Sequence, residues 1–392
     1  MAKKQSIKGL YYITHVDNIP SILTRGILSH KLVEEQHIQF TPIYDAQIVS
    51  SRRERLTPDG KSLWEFANLY FQPRNAMLYR VSIEKNKKFI AIIAVSPQIL
   101  DYPGTLIAVG NAASPLSEIL PAKEGLEAVN EMWKVINSDW WKKEDGSLRK
   151  MMAECLVPDV IPPQLIHSIY VANHSIADSI SLPPTVVSKP IIPEPHMFFQ
   201  PTRAFRITGN LSLIDGDMFF SQMQTLTISV NTVGVMGKGL ASRTKYQFPD
   251  VYVFYQDACR QKILQMGKPT LYKRETSVDE LLIDDVYPPP NLNSNKWFML
   301  FPTKHHWKDK SDFKGIEEGL AWVRNNYAQE NIKSLAMPAL GCGLGKLEWS
   351  DVGPLMCKYL GDIDIQVSIY LPREQKIPDE QLTKEFLLRK NT

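Results

Sequence analysis

The 392-residue chain has four cysteines, Cys155, Cys259, Cys342 and Cys357, and no two of them form a CxxC pair. That excludes a disulfide framework and the usual structural zinc sites, and it fits a reducing compartment. No apolar run approaches the ~18 residues that a membrane helix needs. The start, "MAKKQSIKGLYYITHV", is basic but lacks the apolar core of a secretory signal. Charge of one sign is scarce too. Against 45 Lys and Arg stand 42 Asp and Glu, a net charge of +3, so no global basic footprint announces nucleic acid. A soluble, cytoplasmic, metal-free protein is expected. Its 44% hydrophobic and 22% charged residues are ordinary for a globular chain, and its length suggests roughly two or three domains.

What is present is uneven. Residues 51–100 hold nine Lys and Arg against four Asp and Glu, a local excess that could meet phosphate or simply be a solvated face. Ser181 to Thr202, "SLPPTVVSKPIIPEPHMFFQPT", contains six prolines. Proline fixes φ and removes an amide donor, so this stretch reads as an extended linker; "IIP" and "MFF" are apolar enough to dock as an ordered strap instead. Before it, signals are mixed. "DNIPSILTRGI" reads as a capped helix, "AMLYRVSI", "KFIAIIAV" and "LIHSIYVAN" as strands, and "LEAVNEMWKVINSDWWKK" as a helix of 3.6-residue period. This is an α+β pattern. After it, strands and helices alternate, which implies an α/β fold with a largely parallel or mixed sheet and helices on both faces. The expected division is 1–180, a linker at 181–202, 203–376, and a tail at 377–392.

In the second half, "VNTVGVMGKGLA" (Val230 to Ala241) looks built to hold phosphate. It is not a nucleotide-hydrolase P-loop. Gly239 follows Gly237-Lys238 where Ser or Thr is required, and Thr232 stands where the first glycine belongs. What remains is an apolar strand, "TLTISVN", then a Gly-rich turn, then a helical stretch. Glycines let a backbone approach a ligand, and amides at a helix start attract anions. "ALGCGLGKLEW" also lies just past a strand, and in such folds ligands sit at the carboxyl ends of strands. Two such loops at one edge suit a diphosphate; the bland alternative is a plain strand-to-helix turn.

"GDMF" (Gly216–Phe219), "SVNTVGVMGKGLA", "FPTKHHW" (Phe301–Trp307) and "MPALGCGLGKLEW" (Met337–Trp349) resemble a macrodomain over roughly Arg206 to Pro372, of the DarG antitoxin branch and the related terminal ADP-ribose glycohydrolase. The resemblance implies ADP-ribose as ligand. Asp217 would recognise adenine. Asn231 and the loop Gly234, Met236, Gly237 and Gly239 would hold the distal ribose. Gly341, Cys342, Gly343, Leu344 and Gly345 would clasp the diphosphate. It also implies Lys304 as nucleophile, an amine that attacks C1″ of the sugar; from the residues alone, the neighbouring His305 and His306 could lower its pKa, and the bland alternative is a surface lysine at a strand end. The eukaryotic relative has an Asp after "GCGL"; Gly345 stands there in this chain, and DarG-type proteins also lack that Asp.

The first half carries "YYITHVDNIPSILTRGILS" (Tyr11–Ser29), "RRER" (Arg52–Arg55), "LYFQPRNAMLY" (Leu69–Tyr79), "GNAAS" (Gly110–Ser114) and "MAECLV" (Met152–Val157). Over residues 8–175 these resemble the DarT toxin, an ADP-ribosyltransferase fold that moves ADP-ribose from NAD to a base of single-stranded DNA. The resemblance implies Glu154 as catalytic carboxylate and Arg53 as catalytic arginine, with Arg52 the alternative register. It implies Tyr12, Thr14, His15, Arg53, Tyr70 and Met77 around NAD; relatives often have His where this chain has Tyr12. Arg52, Arg74 and Arg149 are expected to contact DNA, with Trp64, Phe66, Trp140 and Trp141 as candidate stacking aromatics. NAD and single-stranded DNA are the expected partners of a monomer in which the toxin-like and antitoxin-like parts could touch. The base, thymine or guanine, stays open. The alternative is a transferase for RNA or protein beside a macrodomain that only reads ADP-ribose.

Overall fold

The run "IAIIAV" is buried at all six positions, and "WFMLFPTK" at its six inner ones. Each lies inside one sheet, with a strand paired on either side. The computed structural model describes residues 7–43, 46–84, 89–275, 296–373 and 375–389. Its two units meet in sequence between Phe199 and Gln200.

The first unit contains β1 (Leu10–His15), β2 (Ile27–Leu28), β3 (Phe66–Tyr70), β4 (Ile90–Val95), β5 (Leu106–Ala108), β6 (Ile119–Pro121), β7 (Glu154–Pro158), β8 (Val160–Ile161), β9 (Ile166–Val171) and β10 (Ile191–Pro193). Eight of them form one sheet in the order β10-β9-β4-β1-β3-β7-β5-β6, and β2 pairs with β8. All neighbours in the large sheet are antiparallel except β10 and β9, which are parallel. The proline-rich stretch is therefore partly the docked strap. "IIP" is an edge strand, where missing amide donors are tolerated, and Phe198 and Phe199 are buried.

Two elements differ from expectation. "AMLYRVSI" is not a strand but a helix, Ala76–Glu84. Asn75 caps it, its Oδ1 accepting from the Leu78 amide at 3.0 Å, and Leu78, Tyr79, Val81 and Ser82 are buried at helical spacing. The helix expected from Leu126 to Lys143 stops at Glu131 and resumes only for Trp133–Ile136.

The second unit contains β11 (Arg203–Arg206), β12 (Leu211–Asp215), β13 (Thr225–Asn231), β14 (Thr270–Tyr272), β15 (Trp297–Lys304), β16 (Ser334–Pro338) and β17 (Gln366–Tyr370). Their order is β11-β12-β17-β16-β13-β15-β14. The five inner strands are parallel and the two edge pairs antiparallel. This is the expected mixed sheet. Its inner parallel strands are mostly buried, β13 at six of seven positions and β15 at six of eight, because they are covered on both faces. Helices Phe313–Asn326 and Trp349–Leu360 contribute Ile316, Leu320, Val323, Val352, Met356 and Leu360 to the core on one side. Full burial of each such side chain contributes about 1.5–3 kcal/mol. The parallel strands end together, and the Gly-rich loops leave from that edge.

Candidate active sites

In the first unit, β7 opens on Glu154, placed in register between Tyr70 of β3 and Ala108 of β5. Its side chain is fully buried. A carboxylate so placed must find partners, and it finds two. The Arg52 guanidinium donates to both oxygens, at 3.4 Å to Oε1 and 3.0 Å to Oε2. The Ala112 amide donates to Oε1 at 2.9 Å. Ala112 belongs to the "GNAAS" loop, and Arg149 pins that loop through the Val109 carbonyl and the Ser117 hydroxyl. Burial works against the Arg52 charge, but Glu154 more than offsets it and the guanidinium pKa is raised. Tyr12 and Tyr70 lie within electrostatic reach of Arg52, and Tyr70 also of Glu154; burial raises both phenols.

Arg53 goes elsewhere. It is bonded to Glu34 and lies over the Trp64 ring, 4.5 Å from its centroid. Arg52, not Arg53, is thus the arginine that reaches the acid. Both are in the helix Ala46–Glu54, where successive side chains point about 100° apart, so only one can face the sheet. The three arginines expected at DNA all bond within the unit. Arg74 is buried and bonds the His196 carbonyl and Asp139; it fastens the strap. Arg149 supports the Glu154 loop. Arg52 is taken by Glu154. Among the aromatics, Phe66 and Trp141 are core, and Trp64 is sandwiched between Arg53 and His30, whose ring stacks at 4.2 Å. Thr14 is buried against Asn18. The His15 Nδ1 accepts from the Asp17 amide and its ring stacks on Phe89. Met77 is half-buried in the Ala76–Glu84 helix.

In the second unit, Lys304 ends β15 in register with Asn231 at the end of β13. Its Nζ donates to the Leu344 carbonyl at 3.1 Å, which ties it to the 341–345 loop. Burial and then the Lys346 charge hold its ammonium below the usual lysine range, partly opposed by Asp309. Asn231 does not turn its amide to open space. Oδ1 accepts from the Val233 and Val235 amides, Nδ2 donates to the Val235 carbonyl, and the Tyr255 hydroxyl donates to Oδ1. Its observed work is to shape the loop. Met236 anchors that loop in the core while Gly237 is exposed. Gly239 has φ +60°, and a Cβ there would lie 3.0 Å from Leu344 Cδ1, so the two loops meet. Gly341 has φ +73°, and its Cβ would lie 2.6 Å from Leu347; a side chain is refused on both counts. Cys342 is half-buried, its thiol pushed up to about 12 by burial.

Asp217, expected to read adenine, is engaged. Arg243 donates to both its oxygens at 3.2 and 3.1 Å, Arg373 lies 3.4 Å away, and the Phe219 amide donates to Oδ1. Arg243 and Tyr255 were not foreseen, since each stands more than twenty residues from its partner with no spacing signal. At Gly345 the space for a side chain is filled. The Ser311 Oγ lies 2.4 Å from where a Cβ would stand, so an aspartate would displace Ser311. Among the described residues no group of His, Cys, Asp and Glu could hold a metal, and no helix is long and apolar enough to cross a membrane.

With this geometry in place, comparison with known proteins assigns both units. Residues 11–199 match the family described as ssDNA thymidine ADP-ribosyltransferase, DarT, and residues 229–356 match the macro domain. Over 380 residues the chain is 56% identical to a DNA ADP-ribosyl transferase–DNA ADP-ribosyl glycohydrolase fusion protein of Thermosipho africanus, covering 97% of this chain and 98% of that one. A solved structure of Thermosipho africanus DarTG in complex with ADP-ribose superposes with a TM-score of 0.93 at 55% identity, over 97% of this chain and 100% of that one. A DNA ADP-ribosyl glycohydrolase of Thermus aquaticus is 32% identical over 42% of each chain.

Proposed function

The chain belongs to the family of fused DNA ADP-ribosyl transferase–DNA ADP-ribosyl glycohydrolase proteins, and we propose that Glu154 and Arg52 carry the transfer while Lys304 carries the removal. It is an NAD-dependent writer and an eraser of ADP-ribose on single-stranded DNA. Thymine is the base that the family description favours, and the cytoplasm, where NAD and DNA are both at hand, is its place of action. The observation that carries this reading is a pair of separate reactive centres: a buried carboxylate bonded to Arg52 in one unit, and a lysine of lowered pKa between two Gly-rich loops in the other.

In transfer, nicotinamide leaves with the electron pair of its bond to C1′, and positive charge grows on the ribose. Glu154 stabilises that charge and holds the 2′-hydroxyl. Thymine N3 then bonds to C1′ and loses its proton. Arg52 orients Glu154 in the free enzyme and would meet the NAD phosphates or the target base. In removal, the unprotonated Lys304 amine bonds to C1″ and thymine leaves with a proton. Water then adds to C1″ as the C1″–Nζ bond breaks, which returns the amine and frees ADP-ribose. The loop amides around Gly237 and Gly343 would hold the diphosphate, and Asp217 would share its carboxylate between the two arginines and adenine.

Because one chain does both, thymine-containing single strands act as a catalyst of NAD breakdown. The test is to incubate the purified chain with NAD and such an oligonucleotide. Nicotinamide and free ADP-ribose will appear in equal amounts while the DNA ends unmodified. The same rate without DNA, or with an oligonucleotide lacking thymine, would overturn the reading. The choice between arginines is tested by kcat of transfer. Arg52→Lys, which keeps the charge but not the two-pronged contact, will lower it by about 10²-fold; Arg53→Ala, at an exposed ion pair, will leave it within roughly a factor of three. The reverse order would restore Arg53 as the catalytic residue.

A further inference from the structure

Around Lys304 the second unit leaves an uncommon amount of apolar surface bare. Val233, Val235, Trp307 and Leu344 are 47%, 39%, 50% and 50% exposed. They belong to three loops that are fastened to one another at the lysine. The Thr232 amide donates to the carbonyls of Lys304 and His305, and the Thr232 hydroxyl donates to the His305 carbonyl at 3.0 Å. Lys304 donates to the Leu344 carbonyl. The segment after Lys304 then folds into a tight turn. The His306 amide bonds the Asp309 carboxylate and the Lys308 amide bonds the His306 ring. This turn projects Trp307.

Cations are interleaved with these apolar groups. Lys308 lies 5.0 Å from the Trp307 ring, and Lys238, Lys310 and Lys346 are exposed on the same three loops. The nearby acids are partly spoken for: Asp309 is turned into the His306 amide, and Asp312 faces the His305 ring at 3.7 Å. Apolar rings between lysines are what a single polynucleotide strand recognises, since charge tracks its phosphates and a π-face accepts any base. Of the aromatics that sequence offered for this task in the first unit, Phe66 and Trp141 are core and Trp64 already stacks on His30 and Arg53; Trp307 is half open to solvent.

We propose that this rim is the docking surface for the DNA strand that carries the modified base, with Trp307 stacking on a base next to the ADP-ribosylated thymine and Lys308, Lys310 and Lys346 meeting the flanking phosphates. The inference rests on the removal reading above. When C1″ lies at Lys304, the thymine bonded to it must leave the cleft across these loops, and its neighbours follow.

The test uses the full chain with transfer silenced by Glu154→Gln and two substrates, an ADP-ribosylated oligonucleotide and the ADP-ribosylated thymidine nucleoside obtained by digesting it. Trp307→Ala will raise KM for the oligonucleotide about tenfold, the size of one lost base–aromatic stack, and will leave removal from the nucleoside unchanged. Trp307→Phe will restore most of the loss. An unchanged KM for the oligonucleotide would overturn the proposal, and so would an equal loss on both substrates, which would make Trp307 a prop for the lysine. Lys304→Ala is the control for the reading beneath it. Removal from both substrates will be lost, and if it persists the lysine mechanism fails whatever Trp307 does.

Discussion

Glu154→Gln will lower transfer of ADP-ribose to DNA by about 10³-fold or more, with NAD still bound, because what is lost is the charge that meets the ribose as nicotinamide departs. The glutamine has the same shape, so its carbonyl oxygen can still accept from the Ala112 amide, which holds Oε1 at 2.9 Å in the native chain. The Arg52 guanidinium, 12% exposed, is then left with a neutral partner. An unpaired buried charge of this kind lowers stability by up to about 3–5 kcal/mol, so thermal unfolding must be followed beside activity. A folded variant that binds NAD and releases no nicotinamide in the presence of DNA is the expected result. Wild-type turnover in that variant would show that another acid serves the ribose. The lost turnover would be confined to transfer, since removal rests on Lys304 in the other unit.

Glu154 and the Gly-rich loops are visible in the sequence, and the arginines' partners are not. The Gly-rich loops could be read because each follows an apolar strand directly, and a period of two followed by glycines is a local signal. Glu154 stood out as a lone acid in an apolar run. Arg52 and Arg53 could not be separated, because "RRER" is uniform and only the face that the helix turns to the sheet decides between them. The bonds of Arg74 and Arg149 within the unit are hidden in the sequence for a related reason. Positive charge in a string of letters looks solvated, and their partners are largely backbone carbonyls, of His196 and Val109, which carry no sequence signature. The Ala76–Glu84 segment is a short apolar run that suits a strand as well as a helix, and the Asn75 cap decides for the helix. Asp217 with Arg243 and Asn231 with Tyr255 are pairings made by the fold alone.

Lys304→Ala will turn the chain into a writer that cannot erase. Given NAD and a thymine-containing oligonucleotide, it will leave one ADP-ribose on the base, visible by mass, where the native chain leaves the DNA unmodified; added native chain will clear that mark. Loss of a nucleophile that acts through a covalent bond is expected to lower removal by about 10⁴-fold or more. The lysine is half-buried at the end of a strand, so truncation leaves the core intact and the effect is on chemistry. Its pH profile gives a second check. The amine attacks only when unprotonated, so removal rises with pH through the Lys304 pKa. Burial and the Lys346 charge hold that pKa below the ordinary 10.5, and the rising limb therefore lies at lower pH than for a free lysine. Taking away the repelling charge with Lys346→Gln raises the Lys304 pKa, and the limb will move to higher pH while the plateau stays. A limb that does not move, or a Lys304→Ala chain that still clears the mark, would place the nucleophile elsewhere in the cleft.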